Sequence, residues 1–216
     1  VVEEVVVQAS LLGQTEDGIS DPLHILDGTE IADIATTSLG ETLDSLAGVT
    51  TADYGSAVGQ PIIRGLSGLR VKVLTNGLVN RDVAGIGADH KNEVDLFDIQ
   101  QVEVVRGPSS LLYANGATGG IVNIVDNTIA TSDVEDMIIK LGFETQSVNS
   151  GDSQNFAYSD NFGGLNLYFS YSDSAFGNYD IPNGAVLHEE EHHDDEDHDE
   201  DEHDEHDEDM GYLANS

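Results

Sequence analysis

Residues 100–125 read QQVEVVRGPSSLLYANGATGGIVNIV, and this stretch decides the fold. Val102 and Val104 alternate with Gln101 and Glu103, the period of a half-buried strand. Gly107-Pro108 breaks that strand, and Pro108 suits a first helical position, where its missing N–H costs nothing. Leu111, Leu112 and Tyr113 supply an apolar face for one or two helical turns. Gly116, Gly119 and Gly120 end the helix, because a sharp reversal needs residues that tolerate positive φ. Ile121, Val122, Ile124 and Val125 predict a second strand, buried on both faces except at Asn123. Tight turns explain these glycines better than a phosphate cradle does: no Lys follows them and the spacing is not G-x-G-x-x-G.

Working outward, Ser38 and Glu41 form the pattern S-x-x-E of a capping box, and Leu39, Leu43 and Leu46 share one helical face that stops at Gly48. Residues 13–37 before it read as loop with short extended pieces. Residues 49–54 predict a strand, followed by a glycine-containing loop to Pro61. Ile62-Ile63-Arg64-Gly65 opens a second pair of strands; residues 70–74 alternate, and Asn76-Gly77 is a strong hairpin signal.

These residues together resemble the plug domain of TonB-dependent outer-membrane receptors. The resemblance rests on E-V-V-R-G-P, the L-L-Y turn and G-A-x-G-G-x-V-N-x-V, with I-R-G-L and R-V-x-V-L-x-N-G upstream. It runs from about residue 30 to 131, roughly half the chain. Ala114 stands where the family usually has Gly, which predicts a tighter or rotated turn there. The resemblance implies an α+β plug domain, a small mixed sheet with short helices, over residues 11–132. It further implies that residues 133–216 begin an incomplete antiparallel transmembrane β-barrel of roughly 22 strands. The outer membrane is then the location, with lipid around the barrel and the plug inside it.

The downstream sequence is consistent with such a barrel. Residues 137–145 and 164–173 read as long strands, and in the second Leu165, Leu167, Phe169 and Tyr171 alternate with Asn166, Tyr168, Ser170 and Ser172. That is the apolar-out, polar-in dyad of a membrane strand, at about the 9–11 residues needed. Two or three strands cannot close a barrel, since open edges in lipid leave backbone groups unpaired. The chain therefore reads as the opening part of a longer protein, with Val1 a mature-looking start. Within the same resemblance, residues 1–10 carry a TonB-box-like segment, Glu3, Glu4, Val5, Val6 and Val7, which would add as a strand to the TonB energy-transducing complex. From the residues alone, an edge strand of the domain fits residues 1–8 equally well.

Composition narrows the partners. The chain has 216 residues and a formal net charge of −35, from 42 acidic and 7 basic side chains. That excludes nucleic acid, whose phosphates need a basic face. Cysteine is absent, so there is neither a disulfide framework nor a thiolate metal site. Five of the seven basic residues, Arg64, Arg70, Lys72, Arg81 and Arg106, fall in the plug-like part, where pairing with plug or barrel carboxylates is expected.

Residues 188–209, HEEEHHDDEDHDEDEHDEHDED, hold 6 His and 16 acids and nothing else. Without those acids the remaining 194 residues still carry −19, so cations are the expected partners throughout. A tract with no apolar residue cannot fold by burial. In the barrel reading it is an extracellular loop, over residues 185–210. Its imidazoles suit Zn²⁺, Ni²⁺ and Cu²⁺, and its carboxylates complete the shell. His188 with His192, and His203 with His206, have the spacing to meet on one face of an induced helical turn; His193 and His198 add further ligands. Gly87-Ala88-Asp89-His90 lies between the hairpin and the organising strand, and Gly85 and Gly87 allow a turn that aims Asp89 and His90 at one ion. The zinc-receptor branch of the resembled family carries an Asp-His pair in this plug loop, facing the extracellular funnel, together with a His-rich loop. The resemblance thus implies Zn²⁺ as transported substrate, with the remaining ligands beyond Ser216.

The expected function is zinc uptake by a TonB-dependent receptor, with no bond made or broken and hence no enzyme. Ni²⁺, Cu²⁺ and Mn²⁺ remain open. So do a receptor for haem or a metal chelate, against which the acidic plug argues, and a secreted or periplasmic metal-buffering protein.

The tract generates a pH test. His has an unperturbed pKa of about 6.5, and dense carboxylates favour its protonated form. Zn²⁺ bound by a peptide of residues 188–209 should be released as pH falls from about 7.5 to about 5.5, while Ca²⁺, held by oxygen, is lost much less. A competition titration with a chromogenic indicator checks this; equal loss of both ions rules out the histidines as ligands.

Overall fold

The computed structural model describes residues 23–179, except 56, 82, 93 and 131. The TonB-box-like segment (Glu3, Glu4, Val5, Val6, Val7) and the acidic tract (His188, His192, His193, His198, His203, His206) lie outside the described residues.

Strand β1 (Leu23–Asp27) leads directly into helix α1 (Gly28–Ile34), and a second short helix, α2 (Leu39–Leu43), follows. β2 (Val49–Gly55) and β3 (Val58–Ile63) form an antiparallel pair. β4 (Val71–Thr75) and β5 (Leu78–Val79) close the hairpin at Asn76-Gly77, both with positive φ as a type I′ turn requires. β6 (Ile99–Arg106) and β7 (Gly120–Asp126) pair antiparallel, and β7 runs parallel to β4. The resulting five-stranded mixed sheet has the order β1-β6-β7-β4-β5.

Two expectations for the N-terminal half are corrected. Residues 23–34, read as loop with short extended pieces, form the short strand β1 and then helix α1, which was not expected. The signal was Asp27-x-x-Glu30: the Asp27 carboxylate accepts from the Thr29 and Glu30 N–H groups, and Glu30 returns a bond to the Asp27 N–H. The Thr29 hydroxyl, then the Glu30 N–H, hold the Asp27 carboxyl below its usual pKa. The cap's contribution is therefore complete above the ordinary carboxylate range and is lost as pH falls through the depressed value. The expected loop before Pro61 is largely β3, with Pro61 inside it opposite Thr51.

Packing explains the corrections to the organising stretch. Ile31, Leu39 and Leu43 cover one face of β6 and β7, against Val102, Val104, Val122 and Ile124. Val105, Ile121 and Leu74 on the other face pack with Ala114 and Ala117. The pair is thus buried on both faces, and Glu103 and Asn123, expected on exposed positions, are both 0% exposed. They solve each other's burial: Asn123 Nδ2 donates to Glu103 Oε2 at 2.9 Å, and Gln101 Nε2 donates to Glu103 Oε1 at 2.6 Å. The expected helical face of Leu111 and Leu112 is exposed instead. The segment Pro108–Leu112 is a 3-10 turn whose buried residue is Ser110. Ala114 is accommodated because its φ is not positive, so its methyl joins the core where the family's glycine has no side chain. Of the three glycines, only Gly116 has positive φ; Gly120 is needed for space, since a Cβ there would lie 2.7 Å from the Val105 carbonyl oxygen and 2.8 Å from Ile63 Cδ1.

A three-stranded antiparallel sheet follows, β8 (Ile138–Gln146), β9 (Gly151–Phe162) and β10 (Leu165–Ala175), in the order β10-β9-β8. β9 was not anticipated, because its polar residues mask its period. The register puts Ile139, Tyr158 and Phe169 in one row and Leu141, Phe156 and Tyr171 in the next. This face is solvent-exposed among the described residues, with Leu141 64% and Phe143 76% exposed. Phe156 and Phe169 meet diagonally across it, their ring planes tilted by 55° and the centroids 5.9 Å apart. The opposite face, Lys140, Gly142, Ser170 and Ser172, meets the first sheet's loops. Lys140 Nζ bonds Asp98 Oδ1 at 2.6 Å, Ser172 Oγ donates to Asp95, and Phe97 lies against Gly142. Arg106 uses its guanidinium on the Ala47 carbonyl and on His24 Nε2 rather than on the expected carboxylates.

The close approach at Gly120 generates a stability test. Gly120→Ala should cost about 1–3 kcal/mol by overpacking. Gly85→Ala, where nothing lies within 4 Å of the added methyl, should stay within about 0.5 kcal/mol. Urea denaturation of both variants checks the contrast.

Candidate metal loop

The loop between β5 and β6 starts with a 3-10 turn, Val83–Gly85, and continues into a turn in which the His90 N–H donates to the Gly87 carbonyl at 3.4 Å. Val94 and Leu96 pack its later part against the core, but little side-chain burial holds residues 83–90. Ala84 is 2% exposed, but Val83 and Ile86 are largely exposed. The tie is polar. Gln60 on β3, 3% exposed, donates its side-chain amide to the carbonyls of Ala84 (2.7 Å), Gly87 (2.7 Å) and His90 (3.0 Å).

This arrangement sets the side chains of Asp89 and His90 side by side. His90 Nε2 lies 4.0 Å from Asp89 Oδ1, and the two side chains are 45% and 52% exposed. Two donors on one tetrahedral Zn²⁺, each at ~2.0–2.1 Å, sit about 3.4 Å apart, so modest side-chain closure lets both reach one ion. A Cβ at Gly87 would collide with Asp89 Oδ1, so glycine there lets the carboxylate fold back over the turn. One imidazole and one carboxylate suit a borderline cation but are only half of a tetrahedral set. Among the described residues, no group of three or more His, Cys, Asp or Glu side chains could hold a metal ion.

Asp89 and His90 line a large cavity, about 1770 Å³, between the loop side of the first sheet and the polar face of the second. Asp27 and Asp95 face it from the first sheet's side, and Glu144, Asn155 and Ser172 from the second. Sequence reasoning missed Gln60, whose signal was a lone amide in the run Val58–Ile63. The neighbouring Gly59 and Pro61 made that run look like loop. It also missed the Lys140–Asp98 ion pair, which Asn127 Nδ2 supports with a bond to the same Oδ1 at 2.9 Å.

Residues 17–121 match the family model described as the TonB-dependent Receptor Plug Domain. The vitamin B12 transporter BtuB of Photobacterium profundum is 30% identical over 122 residues, covering 56% of this chain and 20% of that protein. The vitamin B12 transporter BtuB of Vibrio vulnificus is likewise 30% identical, over 124 residues, with the same coverage. The chain thus spans about a fifth of the length of these curated relatives. Among solved structures, it is similar to the copper transporter OprC, with TM-score 0.62 and 17% identity over 75% of this chain and 25% of that one. It is also similar to the ferric-catecholate import receptor Fiu from E. coli K12 in its open form, with TM-score 0.59 and 17% identity over 76% and 23%. The fold is accordingly a plug-domain fold whose following strands lead into a barrel-like sheet.

Proposed function

We propose that this chain, with its TonB-dependent receptor plug domain at residues 17–121, is part of an outer-membrane transporter that takes up zinc. The observation that carries the reading is the juxtaposed Asp89 and His90 lining the cavity between plug and sheet. Neutral imidazole is a good Zn²⁺ ligand, and the neighbouring carboxylate is either a second ligand or the acceptor that orients it. The His188, His192, His193, His198, His203 and His206 tract gathers ions by many weak, overlapping contacts, which suits capture followed by release. Glu3, Glu4, Val5, Val6 and Val7 couple the plug to TonB by strand addition. Transport moves the ion without chemistry on it, so no enzymatic step is involved.

A second reading, transport of an organic metal complex, is favoured by the similar proteins, among them vitamin B12 transporters and a ferric-catecholate import receptor. The two readings differ in competition: a corrinoid or a ferric siderophore displaces bound Zn²⁺ only under the second.

In the full-length receptor lacking residues 188–209, His90→Ala should weaken zinc binding about 10–100-fold by isothermal titration. An unchanged isotherm makes His90 an ordinary surface residue. Val6→Pro should abolish energised zinc uptake by cells while leaving binding intact, because proline removes a backbone donor that strand addition uses. Continued accumulation of radioactive zinc in such cells would show that residues 5–7 are not the coupling segment.

A further inference from the structure

We infer that Gln60 is the positioning residue of the metal loop: its buried amide fixes the backbone that presents Asp89 and His90. The inference rests on the zinc reading of that loop and adds to it a determinant of affinity outside the ligand set.

Three carbonyls spaced three residues apart, those of Ala84, Gly87 and His90, converge on one nitrogen. That convergence identifies the atom: carbonyl oxygens need a donor, so the side chain's NH₂ end faces the loop. Its two hydrogens serve three acceptors, so at least one bond is shared. Within residues 83–90 there are few other means of staying in place: Ala84 is the one deeply buried apolar side chain there, Val83 and Ile86 are exposed, and the core contacts of Val94 and Leu96 lie further along the loop. β3 is a firm base for the tie, because it pairs with β2 along its length and α2 packs on both. The last of the three carbonyls belongs to His90 itself, so the tie ends at the residue that carries the imidazole.

Metal ligation tolerates about 0.2 Å in ligand distance. A two-residue ligand pair on an otherwise loosely held loop meets that tolerance only if its main chain is fixed. The same bonds turn three carbonyl oxygens inward toward β3. Hard cations such as Ca²⁺ favour carbonyl ligands, and this loop offers the cavity an imidazole and a carboxylate instead.

Gln60→Met keeps the length and bulk of the side chain and removes both donors. In the full-length receptor lacking residues 188–209, it should weaken Zn²⁺ binding about 10–100-fold, the usual effect of losing a partner that orients a ligand. A double-mutant cycle with His90→Ala separates positioning from general damage. If Gln60 acts through the ligand pair, Gln60→Met has little further effect once His90 is gone. Full additivity of the two losses, or a normal isotherm for Gln60→Met beside a weakened one for His90→Ala, overturns the inference. No effect of His90→Ala overturns the zinc reading of the loop itself. Should Gln60→Met not fold, the unmodified residue answers: with glutamine-selective ¹⁵N labelling, the Gln60 side-chain amide signal shifts when Zn²⁺ is added, and its failure to shift overturns the inference.

Discussion

The fold depends on a carboxylate placed where a carboxylate is expensive. Glu103 sits with no exposed surface at the centre of the mixed sheet, and burial without partners would cost several kcal/mol. Gln101 and Asn123 supply donors to its two oxygens. Asn123 in turn accepts the Gly77 N–H at 2.8 Å, so one amide joins three strands through β6, β7 and the β4–β5 hairpin. A slip of one residue between β6 and β7 would turn Glu103 onto the apolar face covered by Ile31, Leu39 and Leu43. The polar chain sets the register that the apolar residues then fill.

Much of this architecture was legible because its elements announce themselves locally. Asn76-Gly77 fixed a hairpin, and the alternation of Leu165, Leu167, Phe169 and Tyr171 named the apolar face of β10. What stayed hidden depends on contacts distant in sequence. Glu103 and Asn123 look solvent-facing until each is seen to be the other's partner across 20 residues. Gln60 lies 30 residues before His90, and no local pattern marks an amide as a loop anchor. β9 escaped because Asn155, Ser159 and Asp160 dilute an alternation that its neighbours complete. At the loop, the family resemblance rather than any local pattern singled out Asp89 and His90, and both line the same cavity; which further groups complete a coordination shell is a property of the three-dimensional surroundings.

The two sheets divide their duties by face. The mixed sheet is covered on both sides and supplies rigidity. The three-stranded sheet turns Lys140 and Ser172 toward the plug and leaves Ile139, Leu141, Phe156 and Phe169 outward. Outward apolar rows and an inward polar lining are what a wall between lipid and a wet interior requires. Loop and wall line one cavity: the first sheet's side brings Asp89 and His90 to it, and the wall brings Asn155, Ser172 and the Glu144 carboxylate.

The contact of Phe97 with Gly142 gives the plug a mechanical character. The wall has a dent at Gly142 because any side chain there would overlap the ring of Phe97. An aromatic ring seated in such a dent behaves as a detent. Phe97 is half-buried, so its contact is worth less than the about 1.5–3 kcal/mol of a fully buried Phe side chain, and that stabilisation is lost over a few ångströms of travel. Resistance to sliding is therefore steep and short-ranged: small displacements are opposed, and once the ring has cleared the dent, opposition from this contact ends.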